Sequence, residues 1–171
     1  MRSFILFSKL LLFLIFQTVV FILILIATPL DVFSSRGMGS CYGLFGRKRC
    51  GGFGGAVTSS SWGCSRRHAT MNAAAAFAII SIFLSCGATV MAFLMYFHIY
   101  YPRLILFILS LLTAITILIC WACVATVYNE SLCASENGFG ASHSYGPGFG
   151  LTVFTWILQV FTAILSGMIT F

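Results

Sequence analysis

Four long apolar runs limit this chain more than any other feature. Residues 10–29, 73–97, 104–128 and 148–171 contain no Asp, Glu, Lys or Arg. Each is close to the roughly 20 residues a helix needs to cross a hydrocarbon layer about 30 Å thick. Backbone groups in lipid must pair within their own segment, and no apolar-polar alternation supports a barrel, so the runs read as helices. Charged residues make up 7% of the 171 residues and hydrophobic ones 60%. A soluble domain carries roughly a quarter charged residues. The expected fold is an all-α membrane protein, one domain over 1–171, with its four spans in an antiparallel bundle. A long loop over 30–72 joins the first two spans, a short turn over 98–103 the next two, and a loop over 129–147 the last two. The first span also has features of a signal peptide, with Arg2 before it and Ala27 near its end. Its apolar run exceeds the 7 to 15 residues or so of an h-region and no A-x-A-like site follows, so an uncleaved helix is expected.

The net charge of +6 does not point to nucleic acid. Arg2, Lys9 and Arg103 flank spans, and Arg36, Arg47, Lys48, Arg49, Arg66 and Arg67 lie in the first loop, with no nucleic-acid-binding motif among them. By the positive-inside rule the basic first loop would be cytoplasmic. The cysteines argue the opposite. Cys41, Cys50 and Cys64 in loop one and Cys133 in loop two suit an oxidising compartment. Asn129-Glu130-Ser131 on the same side is a glycosylation sequon, close to the end of span three. Both termini are therefore expected in the cytoplasm.

Within the membrane, Ala74, Ala78, Ser81, Ser85, Ala88 and Ala92 recur at steps of four and three, one face of span two. Small residues let helix backbones approach closely, either inside the bundle or across a contact between two copies. Asp31, Glu130 and Glu136 are the only carboxylates, all in loops or at span ends, which disfavours a proton-coupled transporter. Cys120 and Cys123 form a C-x-x-C on one face of span three. A thiol oxidoreductase would use such a pair, but a reactive thiolate needs a cation, water or a helix N-terminus, and these lie in an apolar run. Buried cysteines acting as small hydrophobes are the simpler reading. His68, His98 and His143 have no ligand spacing, so no metal and no cofactor is expected. No serine belongs to a base-and-orienter set, so no catalytic residue is assigned.

Loop one is dense in glycine: Gly37, Gly39, Gly43, Gly46, Gly51, Gly52, Gly54, Gly55 and Gly63. Ordering such a loop costs backbone entropy, and cross-links offset that cost. Cys41, Cys50, Cys64 and Cys133 allow three complete pairings, among which spacing does not choose.

The segment Cys41-Tyr-Gly-Leu-Phe-Gly-Arg-Lys-Arg-Cys50 resembles the signature of the amastins, surface proteins of kinetoplastid parasites. Gly43 stands where that signature has a hydroxyl residue and Phe45 where it has tryptophan. Further stretches similar to the family follow in order: Thr28-Pro-Leu-Asp-Val-Phe33, Cys64-Ser-Arg-Arg67, Ala76 to Ser81, Trp121-Ala-Cys123, Tyr128, Cys133 and Tyr145-Gly-Pro-Gly-Phe-Gly150. The resemblance implies a plasma-membrane surface protein with cytoplasmic termini, and it implies no reaction. A looser similarity is to the claudins, carried by Gly43-Leu44-Phe45 followed by Cys50 and Cys64. It implies a left-handed four-helix bundle with a small disulfide-stapled β-element from loop one.

The expected function is non-enzymatic: cell-surface or host-parasite contact and membrane organisation. Arg47, Lys48 and Arg49 would meet anionic glycans or lipid headgroups. The lipid bilayer is the expected solvent, and self-association through span two is the alternative use of its small face. Two other functions stay open: a pore or channel-modulating subunit, with Gln17, Thr113, Thr116 and Gln159 as the polar residues able to line a path, and the oxidoreductase using Cys120 and Cys123.

Overall fold

The computed structural model describes residues 2–35, 40–50, 62, 64–97, 103–133, 140 and 143–170; the side chains of 2–8, 40 and 49 are outside this set. So are Arg36, Glu136, His98, most of the turn before Arg103, and Gly37, Gly39, Gly51, Gly52, Gly54, Gly55 and Gly63 of the glycine-rich loop.

Four helices dominate the described residues: α1 Arg2–Ala27, α2 Ser65–Tyr96, α3 Arg103–Asn129 and α4 Pro147–Thr170. Each is long and apolar enough to cross a membrane. Helix α1 packs on α2 and α4, and α3 packs on the same two, so the four close into a ring of antiparallel neighbours. Large apolar side chains such as Phe83, Phe154 and Phe161 point outward, where lipid is their natural solvent.

The non-helical structure gathers at one end of this ring. Strands β1 Phe33–Ser35, β2 Ser40–Gly43 and β3 Gly46–Arg49 come from the first loop, and β4 His143–Tyr145 from the second. They form one antiparallel sheet in the order β3-β2-β1-β4. The sheet is thus built from both loops and not from loop one alone. Phe33 is the hinge of its register, paired with Tyr42 on one side and Tyr145 on the other.

An apolar core runs from the sheet into the bundle: Phe33, Leu44 and Trp62 pack with Met71, Ala74, Ala78, Cys120, Val124 and Val127. A second apolar cluster, Phe13, Leu14, Ala92, Leu106 and Ile169, closes the opposite end. Between them the helices are joined by hydroxyl and amide groups. Ser81 Oγ donates to Thr116 Oγ1 at 2.9 Å, linking α2 to α3, and the Ser110 and Ser166 hydroxyls meet at 2.8 Å, linking α3 to α4. Gln17 Nε2 donates to Ser85 Oγ at 3.3 Å, linking α1 to α2. In lipid the hydrophobic effect gives helices no reason to associate, so close packing and such bonds take its place.

Ala74, Ala78, Ser81, Ser85, Ala88 and Ala92 are all buried inside this ring. Within one chain their face is covered by the protein's own helices. The side chains are small enough to let α1 and α3 lie close on α2.

Candidate functional site

The sheet end holds the groups with chemistry to offer. Two disulfides shape it among the described residues: Cys41 with Cys50, closing the β2–β3 hairpin, and Cys64 with Cys133, which are 69 residues apart. The second bond ties the start of α2 to the segment just after α3, joining the two loops covalently. Cys64 is also the residue before α2, in extended conformation with no side-chain cap.

The basic run Arg47, Lys48, Arg49 divides along β3. Successive side chains of a strand point to opposite faces. Arg47 is exposed, whereas Lys48 is turned inward and only 8% exposed. The Lys48 ammonium lies 2.9 Å from Asp31 Oδ1 and donates to the Pro29 carbonyl. This corrects the reading of three residues as one contact cluster: Lys48 is a structural cation that pins the hairpin to the exit of α1. The Arg49 side chain lies outside the described residues.

Asp31 is a junction for the fourth span as well. Gly148 N donates to the Asp31 carbonyl at 2.8 Å, and Gly146 N to the Val32 carbonyl at 2.7 Å. A Cβ at Gly146 would collide with the Asp31 carbonyl, and one at Gly148 would lie 2.9 Å from it. The glycines of Tyr145-Gly-Pro-Gly are there because two backbones cross without space for a side chain. Reading along the sequence marks this stretch as a helix entry but does not show its partner, which lies more than a hundred residues earlier.

Beside that crossing is a stack of rings. The Tyr145 ring is 3.8 Å from that of Tyr128 and 4.2 Å from that of Phe149, near-parallel to both. Burial in this stack, and then the neighbouring Tyr128, push the Tyr145 hydroxyl above its ordinary pKa of 10; a hydrogen bond with Asn129 acts the other way. Asn129 is exposed at the last position of α3, its Nδ2 donating to the Ala125 carbonyl at 3.1 Å. Glu130 and Ser131, the rest of the sequon, are exposed too.

Other candidates fall elsewhere. Cys120 is buried in α3, Cys123 is partly buried beside it, and both are unbonded. Thr113, Thr116, Gln17 and Gln159 are buried inside the bundle, between its two apolar clusters. The described residues include no group of His, Cys, Asp and Glu placed to hold a metal ion.

The family model for the amastin surface glycoproteins matches residues 18–165. The chain belongs to the amastin family. The match runs from the second half of α1 almost to the end of α4, so it takes in most of the membrane ring and the whole sheet end. No curated protein matches the chain. Family membership and four membrane-capable helices make this amastin a multi-pass membrane protein of the surface-glycoprotein type.

Proposed function

We propose that this amastin is a non-enzymatic contact protein of the plasma membrane, with both termini in the cytoplasm and the sheet end outside. The observation that carries the reading is the Cys64–Cys133 bond. It fastens the two loops into one plate and belongs to an oxidising compartment. The helices serve as a scaffold for that plate. Its reach toward other membranes or host components runs through exposed groups, with Arg47 as the cationic contact for anionic glycans or lipid headgroups. Phe45, 45% exposed beside it on the β2–β3 turn, adds an apolar element to the same edge. Asn129 is the chain's one sequon and the proposed attachment point for an N-linked glycan.

The other two functions gain less. An oxidoreductase needs an electron partner for Cys120 and Cys123, and Cys41, Cys50, Cys64 and Cys133 are all engaged in the two structural bonds. A path through a single copy would have to breach the Phe13 to Ile169 cluster and the Met71 to Val127 cluster.

The test is binding of heparin-coated beads to cells expressing the protein, compared with Arg47→Ala at equal surface level. Loss of most of the binding in the variant supports the contact role. Unchanged binding removes Arg47 from it.

A further inference from the structure

The interior of the bundle is polar at mid-depth and short of hydrogen-bond donors. Thr113, Thr155 and Thr162 are completely buried, and each hydroxyl donates to the carbonyl four residues earlier in its own helix: Leu109, Leu151 and Leu158, at 2.7 to 2.8 Å. A hydroxyl spent in this way presents only lone pairs to its surroundings. Gln17 and Gln159, also completely buried, use Nε2 on Ser85 Oγ and on the Ser110 carbonyl. Their Oε1 atoms are buried acceptors without a partner. An amide oxygen left unpaired in a low-dielectric interior is costly, and natural proteins satisfy such groups with protein or with internal water.

The two amides lie at similar depth. Asp31 and Gly148 touch at the sheet end. Counting about 1.5 Å per residue inward from the helix ends beside that contact, Ala27 of α1 and Pro147 of α4, places Gln17 about 15 Å and Gln159 about 18 Å into the bundle, on adjacent helices. Both are neutral, and the carboxylates of the sequence lie outside the apolar runs, so nothing at this depth balances a buried cation.

We propose that the midplane of the bundle is a water site shared by Gln17 and Gln159. Water is the neutral donor this interior lacks. It gives one hydrogen to each Oε1 and accepts the second N–H of either amide, and the apolar clusters above and below seal it from both surfaces. This places a hydrated layer at the centre of the membrane without opening a path across it.

The experiment is water-edited solid-state NMR of the folded protein in deuterated lipid bilayers, with both glutamine side chains assigned. The expected result is magnetisation transfer from water to Nε2 of Gln17 and of Gln159, and none to Phe13 or Leu106 in the apolar layer. Absence of transfer to the two assigned amides overturns the proposal. In Gln17→Met, transfer to Gln159 is expected to be lost; an unchanged Gln159 signal rules out a shared site. Should that variant fail to fold, the wild-type measurement decides alone.

Discussion

Lys48 Nζ lies 2.9 Å from Asp31 Oδ1, in a pair whose side chains are only 6% and 12% exposed. One residue earlier in the same strand, Arg47 stands in solvent. Lys48→Ala should therefore strand a buried carboxylate and cost about 3 kcal/mol, whereas Arg47→Ala should change stability by less than about 0.5 kcal/mol. Thermal midpoints of the two variants in lipid nanodiscs check this. Replacing both partners, Asp31→Asn with Lys48→Met, should recover much of the loss, because an apolar pair leaves no charge unpaired.

The crossing of the α1 exit and the α4 entry predicts a contrast between glycines four residues apart. Gly146→Ala pushes a methyl group into the Asp31 carbonyl, and a loss of about 1 to 3 kcal/mol is expected, the usual cost of overpacking. A Cβ at Gly150, in the first turns of α4, meets nothing within 4 Å. Gly150→Ala should be neutral or stabilising by up to about 1 kcal/mol, since alanine is the better helix former. The two midpoints should move in opposite directions or differ clearly in size.

The two disulfides should differ in worth. On the chain-entropy account, closing 69 residues is worth about 4 kcal/mol and closing 9 about 2.5 kcal/mol. Removing Cys64–Cys133 by paired alanines should lower the midpoint more than removing Cys41–Cys50. Equal losses would mean that the helices hold the loop ends together without the bond.

Tyr145 should resist ionisation. Its hydroxyl is raised above 10 chiefly by burial in the ring stack. The folded protein then holds that proton more tightly than the unfolded chain. This contribution to stability is complete below about pH 10, the ordinary tyrosine value, and is lost as pH climbs from there through the raised folded value. An absorbance titration comparing wild type with Tyr145→Phe should show one late-titrating phenol missing from the variant.

Much of this architecture is visible along the chain, because lipid imposes a crude rule: long runs such as 104–128 have one stable conformation there. The family is visible too, through motifs spread over most of the chain. What stayed hidden depends on pairings between distant segments. His143–Tyr145 has no alternating apolar pattern of its own and becomes a strand only because Phe33 offers it an edge. The inward turn of Lys48 follows from the register of β3 against β2, with Cys41 opposite Lys48, and a basic triplet looks the same in either register. Asp31 reads as an ordinary loop carboxylate until Lys48 and Gly148 are placed on it. The orphan oxygens of Gln17 and Gln159 likewise emerge only when the four helices are brought together.

The central claim, that the sheet end is one covalently joined plate on the outer surface, is met most directly by nonreducing mass spectrometry of protein recovered from intact cells after labelling with a membrane-impermeant reagent. The predicted result is labelled protein yielding linked peptides for Cys41 with Cys50 and Cys64 with Cys133, with an N-terminal tag unreached by the reagent. Free thiols at these four positions, together with a labelled N-terminus, would contradict the account.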